Sequence, residues 1–172
     1  LKKCGHPWTT NKGCTNDGGY HMCDRSLRKS PEAVLVSDYI NRFNTLGRQL
    51  GLGPANLIEV EDKTNSGISA EAILLEKSIP KKSVICILDE NGKALTSPDL
   101  ASLFSNWRDN AKHNVTFLIG GADGVEKNLK EKADYSLSLG KMVWPHSLAR
   151  VMLAEQIYRS ATILLKTPYH RE

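Results

Sequence analysis

The chain has 172 residues, 40% of them hydrophobic, and a formal net charge of +4. That suffices for one domain with an ordinary core, and no apolar stretch approaches the ~18 residues that a bilayer-spanning helix needs. The charge permits a polyanionic partner without requiring one. Cysteines at 4, 14, 23 and 86 do not make an extracellular disulfide framework, and residues 1–6 lack an apolar signal segment. A cytoplasmic protein is expected.

Residues 1–29 are rich in Gly, Asn, Thr, Lys, Cys and His and show neither a strand nor a helix period. They read as an irregular or foreign leader ahead of a domain over 30–172. Cys4, His6, Cys14, His21 and Cys23 are zinc-ligand types, but no C-x2-C or H-x3-H pair is present, so no metal is expected. Order begins at Ser30-Pro31-Glu32, which supplies a capping oxygen, a pre-set φ and a favourable charge for a helix start. Val34, Leu35, Tyr39, Ile40, Phe43, Leu46 and Leu50 form its apolar stripe, and Gly51, Gly53 and Pro54 end it. A strand over 56–61, a loop over 62–67 and a helix over 68–77 carrying Ile73, Leu74 and Leu75 follow.

Residues 83–88 are a continuous apolar run, the mark of a strand covered on both faces, and 89–93 should turn the chain. Ser97-Pro98-Asp99 repeats the helix-start pattern, with Leu100, Leu103, Phe104 and Trp107 facing inward. A buried strand over 115–119, a helix over 125–133, a strand over 135–139 and a long helix over 147–166 complete the domain. Strands alternating with helices predict an α/β fold with a mostly parallel sheet flanked by helices.

In such a sheet, ligands sit beyond the carboxyl ends of the strands. Three of those ends carry glycine: Gly92, Gly120 with Gly121, and Gly140. Each alone is an ordinary turn; together they point to a pocket whose backbone can approach a ligand closely. There is no G-x-G-x-x-G fingerprint after a first strand and no Walker lysine-serine pair. His146, after Trp144-Pro145, suits a base, an RNA contact or a helix cap. On the last helix, Arg150, Ala154, Ile157 and Ala161 share one face, and Glu155 with Arg159 reads as a surface ion pair. Met152, Leu153, Ile157, Ile163 and Leu164 read as core or dimer seam. The tail Tyr169-His170-Arg171 offers a stacking ring, an imidazole and a guanidinium fork, which together suit an RNA base and its phosphates.

From residue 27 to 172 the chain resembles the RlmH family of SPOUT-class RNA methyltransferases. The resemblance lies in Leu118-Ile119-Gly120-Gly121-x-x-Gly124, Leu137-Ser138-x-x-Lys141-Met142-x-x-Pro145-His146, Arg150, Glu155-Gln156-x-Tyr158-Arg159 and Pro168-Tyr169-His170-Arg171. It implies an S-adenosylmethionine-dependent 23S rRNA pseudouridine N3-methyltransferase. Such an enzyme acts as a homodimer on a large-subunit stem-loop within the assembled ribosome and carries a C-terminal trefoil knot. The family's cofactor positions fall on Leu88, Gly120, Leu139, Gly140, Lys141, Met142, Val143 and Trp144. His146, Arg150, Tyr169, His170 and Arg171 are the candidates for handling the N3 proton and its charge, and in a dimer the tail of one subunit would complete the site of the other. The family begins with a short apolar strand just before the segment equivalent to 27–29. Residues 19–26 have no run of β-branched side chains, so that strand is expected to be missing here. Two alternatives stay open: a non-catalytic RNA- or ribosome-binding module on the same fold, and a SPOUT enzyme acting on tRNA.

Overall fold

The computed structural model describes residues 19–25, 30–60, 68–120 and 124–170. Strand β1 is Gly19–Arg25. Helix α1, Pro31–Gly47, starts where the Ser30 hydroxyl accepts a hydrogen bond from the Ala33 N–H at 3.3 Å, with proline at the helix start and Glu32 in the first turn. A 3-10 turn, Arg48–Leu50, and left-handed Gly51 (φ +65°) end it. Then come β2 at Ala55–Val60, α2 at Ile68–Ser78, β3 at Ser83–Ala94 and α3 at Ser97–Asp109. The chain continues with β4 at Asn114–Leu118, α4 at Lys127–Glu131, β5 at Tyr135–Ser138 and α5 at His146–Leu164.

Every ladder is parallel, and the strand order across the sheet is β2-β1-β4-β3-β5. The expected α/β architecture is therefore present. Side chains of α1, α3 and α5 (Val36, Ile40, Phe43, Leu100, Phe104, Leu153, Ile157) pack on one face of the sheet. Leu75 of α2 and Leu129 of α4 cover the other. Arg150, Ala154, Ile157 and Ala161, the face read off the last helix, are all buried. Among the described residues, no helix is long and apolar enough to cross a membrane.

The largest departure from the sequence reading is β1. The irregular leader expected over 1–29 fails over 19–25, and the strand expected to be missing lies in the middle of the sheet, between β2 and β4. Residues 1–18, with Cys4, His6 and Cys14, lie outside the described residues. β1 has no β-branched side chain, yet Met22 and Cys23 are fully buried, and the Tyr20 ring packs against Phe43 at 5.5 Å and Phe104 at 4.8 Å. Strand propensity is chiefly a record of side-chain packing on a pleated surface. Here Tyr, Met and Cys provide that packing, and two flanking ladders satisfy the backbone groups.

Smaller differences have equally local causes. β3 runs on through 89–93, expected as a turn, because Leu88 and Lys93 both pair with Leu137 across an irregularity. Thr96 rather than Ser97 caps α3, in a reciprocal box with Asp99. Val34 and Leu35 are 70% and 47% exposed, so the buried stripe of α1 is Val36, Ile40 and Phe43. α4 is five residues long, shorter than the expected 125–133. α5 starts at His146 itself, with Pro145 before it and no side-chain cap, so His146 is not a cap.

His21 is buried on β1, and its ring nitrogens make no well-formed hydrogen bond among the described residues. Burial pushes its imidazole below the ordinary histidine value, against a smaller opposing effect of the Asn114 side chain. The unfolded chain therefore takes up this proton at a higher pH than the folded one. Stability from neutral His21 is complete above the ordinary value of ~6.5 and declines as pH falls below it. Urea unfolding of the wild type and of His21→Leu between about pH 7 and pH 5 should show a shallower pH slope in the variant; equal slopes would show that His21 does not contribute.

Candidate active site

The order β4-β3-β5 sets three carboxyl strand ends side by side. Beyond them opens a cleft of about 690 Å³, within the usual range for small-molecule sites. Leu88, Asp89, Glu90 and Asn91 of β3 form one wall. Ile119, Gly120, Gly124 and Val125 after β4 form a second, and Leu139, Gly140, Met142, Val143 and Trp144 after β5 a third. Pro145, His146 and Ala149 close it at the start of α5.

Two glycines shape these walls for different reasons. A Cβ on Gly120 would lie 2.3 Å from the Gly124 carbonyl carbon and 2.7 Å from the Val125 nitrogen, so only glycine lets this loop fold back on itself. Gly140 has φ +117° with open space where a Cβ would stand, so its constraint is conformational. Gly92 was grouped with them in the sequence reading, but it does not line the cleft. A Cβ there would lie 2.8 Å from the backbone carbonyl carbons of Ser136 and Leu137, so the missing side chain lets β3 lie against β5.

Ser138 ties two walls together. Its Oγ accepts from the Gly140 N–H at 3.1 Å and lies 3.1 Å from the Glu90 carbonyl, to which it can donate. Asp89 pairs with Lys130 Nζ at 2.5 Å, and the Asn91 N–H donates to its other oxygen at 2.9 Å. Lys130 first, and then the Asn91 amide, hold the Asp89 carboxyl below its ordinary range. The sequence reading missed Asp89, Asn91 and Ser138. Their signals were the Asx turn at 89–91 and a hydroxyl ending an alternating strand.

Of the residues singled out from sequence, Leu88, Gly120, Leu139, Gly140, Met142, Val143, Trp144 and His146 meet around this one cleft. Lys141 is exposed beside it and is not part of its wall. Arg150 is fully buried, with Nη1 3.6 Å from Glu59 Oε1 of β2, so it braces α5 against the sheet. Tyr169 and His170 fold back on the far half of α5: the Tyr169 hydroxyl donates to Glu155 at 3.0 Å, and His170 Nδ1 lies 3.5 Å from Arg159. At 1.5 Å rise per residue, Arg159 is roughly 20 Å along the helix from His146. The tail and the cleft are thus apart. Arg171, with Gly121, lies outside the described residues. Met142 and Val143, 67% and 85% exposed, join Trp144 and Leu148 in an apolar flank beside the cleft.

Apolar walls, loop backbone held open by glycine and a polar rim of Asp89, Glu90, Asn91 and Lys130 fit a nucleoside such as that of S-adenosylmethionine. Fold and cleft together define a SPOUT-class methyltransferase, and the family model described as "Predicted SPOUT methyltransferase" matches residues 23–170. A protein named Ribosomal RNA large subunit methyltransferase H from Ruegeria sp. (strain TM1040) is 56% identical over 152 residues, covering 88% of this chain and 97% of the relative. Proteins of the same name from Ruegeria pomeroyi and Paracoccus denitrificans are 56% and 53% identical, covering 84% and 85% of this chain and 93% and 94% of their own length. The chain belongs to this RlmH family of SPOUT methyltransferases.

Gly140→Ala should cost about 1–3 kcal/mol of backbone strain and weaken S-adenosylmethionine binding by calorimetry, while Gly120→Ala, which meets backbone rather than open space, should weaken it more. Wild-type affinity in both folded variants would show that neither loop shapes the cofactor site.

Proposed function

We propose that the chain methylates N3 of a pseudouridine in 23S rRNA, on a large-subunit stem-loop of the assembled ribosome, and does so as a homodimer. The observation that carries this is the convergence of Leu88, Gly120, Gly140 and Met142 on one cleft with His146 at its mouth. The names of the relatives, which specify large-subunit ribosomal RNA, support the substrate class. The reading includes the family's C-terminal knot.

S-adenosylmethionine, when bound, supplies a methyl group already activated by its sulfonium, so the residues of the chain need only align the target and manage its proton. Leu88, Leu139 and Met142 wall the apolar part of the cleft, and the loop backbones offer N–H and C=O groups to the polar part. Asp89, Glu90 and Asn91 provide acceptors for hydroxyls on the rim. His146, exposed at the mouth, is positioned to receive the N3 proton. Arg150 acts indirectly, by holding the first turns of α5 against β2. Lys141 stands outside the wall, where its charge suits a phosphate of the RNA.

Distance supports the dimer in this reading. Tyr169, His170 and Arg171 have the chemistry to hold an anionic imide, but the tail lies too far from its own cleft to deliver it. A second protomer seated on the apolar flank of Met142, Val143, Trp144 and Leu148 would bring its tail to the cleft of the first.

Incubation of ribosomes with protein and methyl-labelled S-adenosylmethionine, followed by mass spectrometry of digested RNA, should find one new methyl on a 23S pseudouridine. Label in isolated tRNA would redirect the substrate. No label anywhere from a folded sample that binds S-adenosylmethionine would leave the non-catalytic module. A Gly140→Ala chain and a chain lacking 169–172, each strongly impaired alone, should recover activity when mixed. Failure to recover, with heterodimers detected, would sink the shared site.

A further inference from the structure

Glu155 is more than half of an ion pair. Its side chain is 17% exposed. Oε1 accepts from Arg159 Nε at 2.9 Å, from Arg159 Nη2 at 2.6 Å and from the Tyr169 hydroxyl at 3.0 Å. Oε2 accepts from Gln156 Nε2 at 2.8 Å, and Gln156 Oε1 accepts from Ser97 Oγ of α3 at 2.8 Å. The Arg159 guanidinium lies 4.9 Å over the Tyr169 ring, which stands edge-on to Tyr158 at 4.8 Å. Tyr158 in turn packs 6.0 Å from Tyr39 of α1. An exposed i, i+4 pair contributes little. A carboxylate that gathers donors from its own helix and from the chain terminus, and is tied through Gln156 to a neighbouring helix, is an anchor built of charge-assisted hydrogen bonds.

We propose that Glu155 and Arg159 are positioning residues that preset the C-terminal tail as a hydrogen-bond donor, with the His170 imidazole carrying its proton on Nε2 and presenting that N–H to the substrate base. The assignment follows from donor inventory. A guanidinium has five N–H donors and no acceptor, so the ring atom facing Arg159 Nη1 offers a lone pair. That atom is Nδ1, and neutral His170 then holds its hydrogen on Nε2. Tyr169 spends its single O–H on the Glu155 carboxylate, so it anchors the tail and leaves the His170 N–H as the donor turned to the substrate. Burial, then the hydroxyl of Tyr39 and the Glu155 carboxylate, hold its phenol above the ordinary tyrosine value, so it stays protonated. A tail that presents this N–H suits a carbonyl oxygen and the developing negative charge of a uracil-type imide. It does not suit removal of the N3 proton, which is left to His146 on the cleft side. This deepens the proposed function and depends on the tail of one protomer reaching the cleft of its partner.

Long-range nitrogen-15 NMR of the histidine-labelled full-length dimer, with His170 assigned by His170→Ala, reads the tautomer directly. Wild type should show Nε2–H, and Arg159→Ala a shift toward a mixture. Glu155→Gln and Arg159→Ala should lower kcat on the order of 100-fold, as expected for a misplaced group. Affinity for S-adenosylmethionine and the dimer state should be retained, with Arg159→Lys intermediate. An Nδ1–H tautomer in wild type overturns the proposal, and does so even if the variants fail to fold. Wild-type kcat in both variants, with activity abolished by removal of 169–172, also overturns it. Unchanged activity after that removal sinks instead the shared-site reading beneath it.

Discussion

β3 pairs with β4 on one side and β5 on the other, and both ladders are parallel. Parallel pairing makes all three strands run in the same direction, so the irregular stretch of β3 after Leu88 and the loops that leave β4 and β5 turn within a few residues of each other. The cleft is the space those turns enclose. Its glycines serve backbone geometry: Gly120 lets a loop close on Gly124 and Gly140 adopts a positive φ, while Gly92, outside the cleft, lets β3 press against β5. The Ser138 hydroxyl then links the β3 end to the β5 loop, so the walls move together. A cleft made from backbone turns on a rigid sheet is pre-organised, which suits a reaction in which alignment is the main task.

The long helix α5 carries two centres that lie apart along its length. Its first turn carries His146 and closes the cleft; its second half carries Glu155, Tyr158 and Arg159, on which the tail is folded. Between them, Arg150, Leu153, Ala154 and Ile157 are buried against α1, α3 and the sheet. A buried guanidinium in that row is costly unless held by an acid, and Glu59 stands at the end of β2 to meet it. The helix is thereby fixed in rotation as well as in position. Rigidity of this kind keeps the two ends of α5 at a constant separation.

Periodicity and punctuation in the sequence determined most of the frame. Ser30-Pro31-Glu32, the apolar runs around Ile85 and Phe117, and the buried row on α5 each specify their element through neighbours in the chain, so they were legible without coordinates. Leu88, Gly120, Gly140 and the 139–144 stretch were legible as strand-end features and as family positions, and all but Lys141 meet around the cleft. Tertiary structure alone decided the rest. β1 carries no local strand signal and exists because β2 and β4 offer it ladders on both edges and because Phe43 and Phe104 offer Tyr20 a place to pack. Asp89 and Asn91 look like turn residues until β5 pairs across them. Glu155 and Arg159 look like a surface pair until the tail folds over them. Local pattern reports what a residue does with neighbours a few positions away; a central strand, a cleft wall and an anchored terminus are set by partners tens of residues distant, which the sequence places nowhere until the sheet has formed.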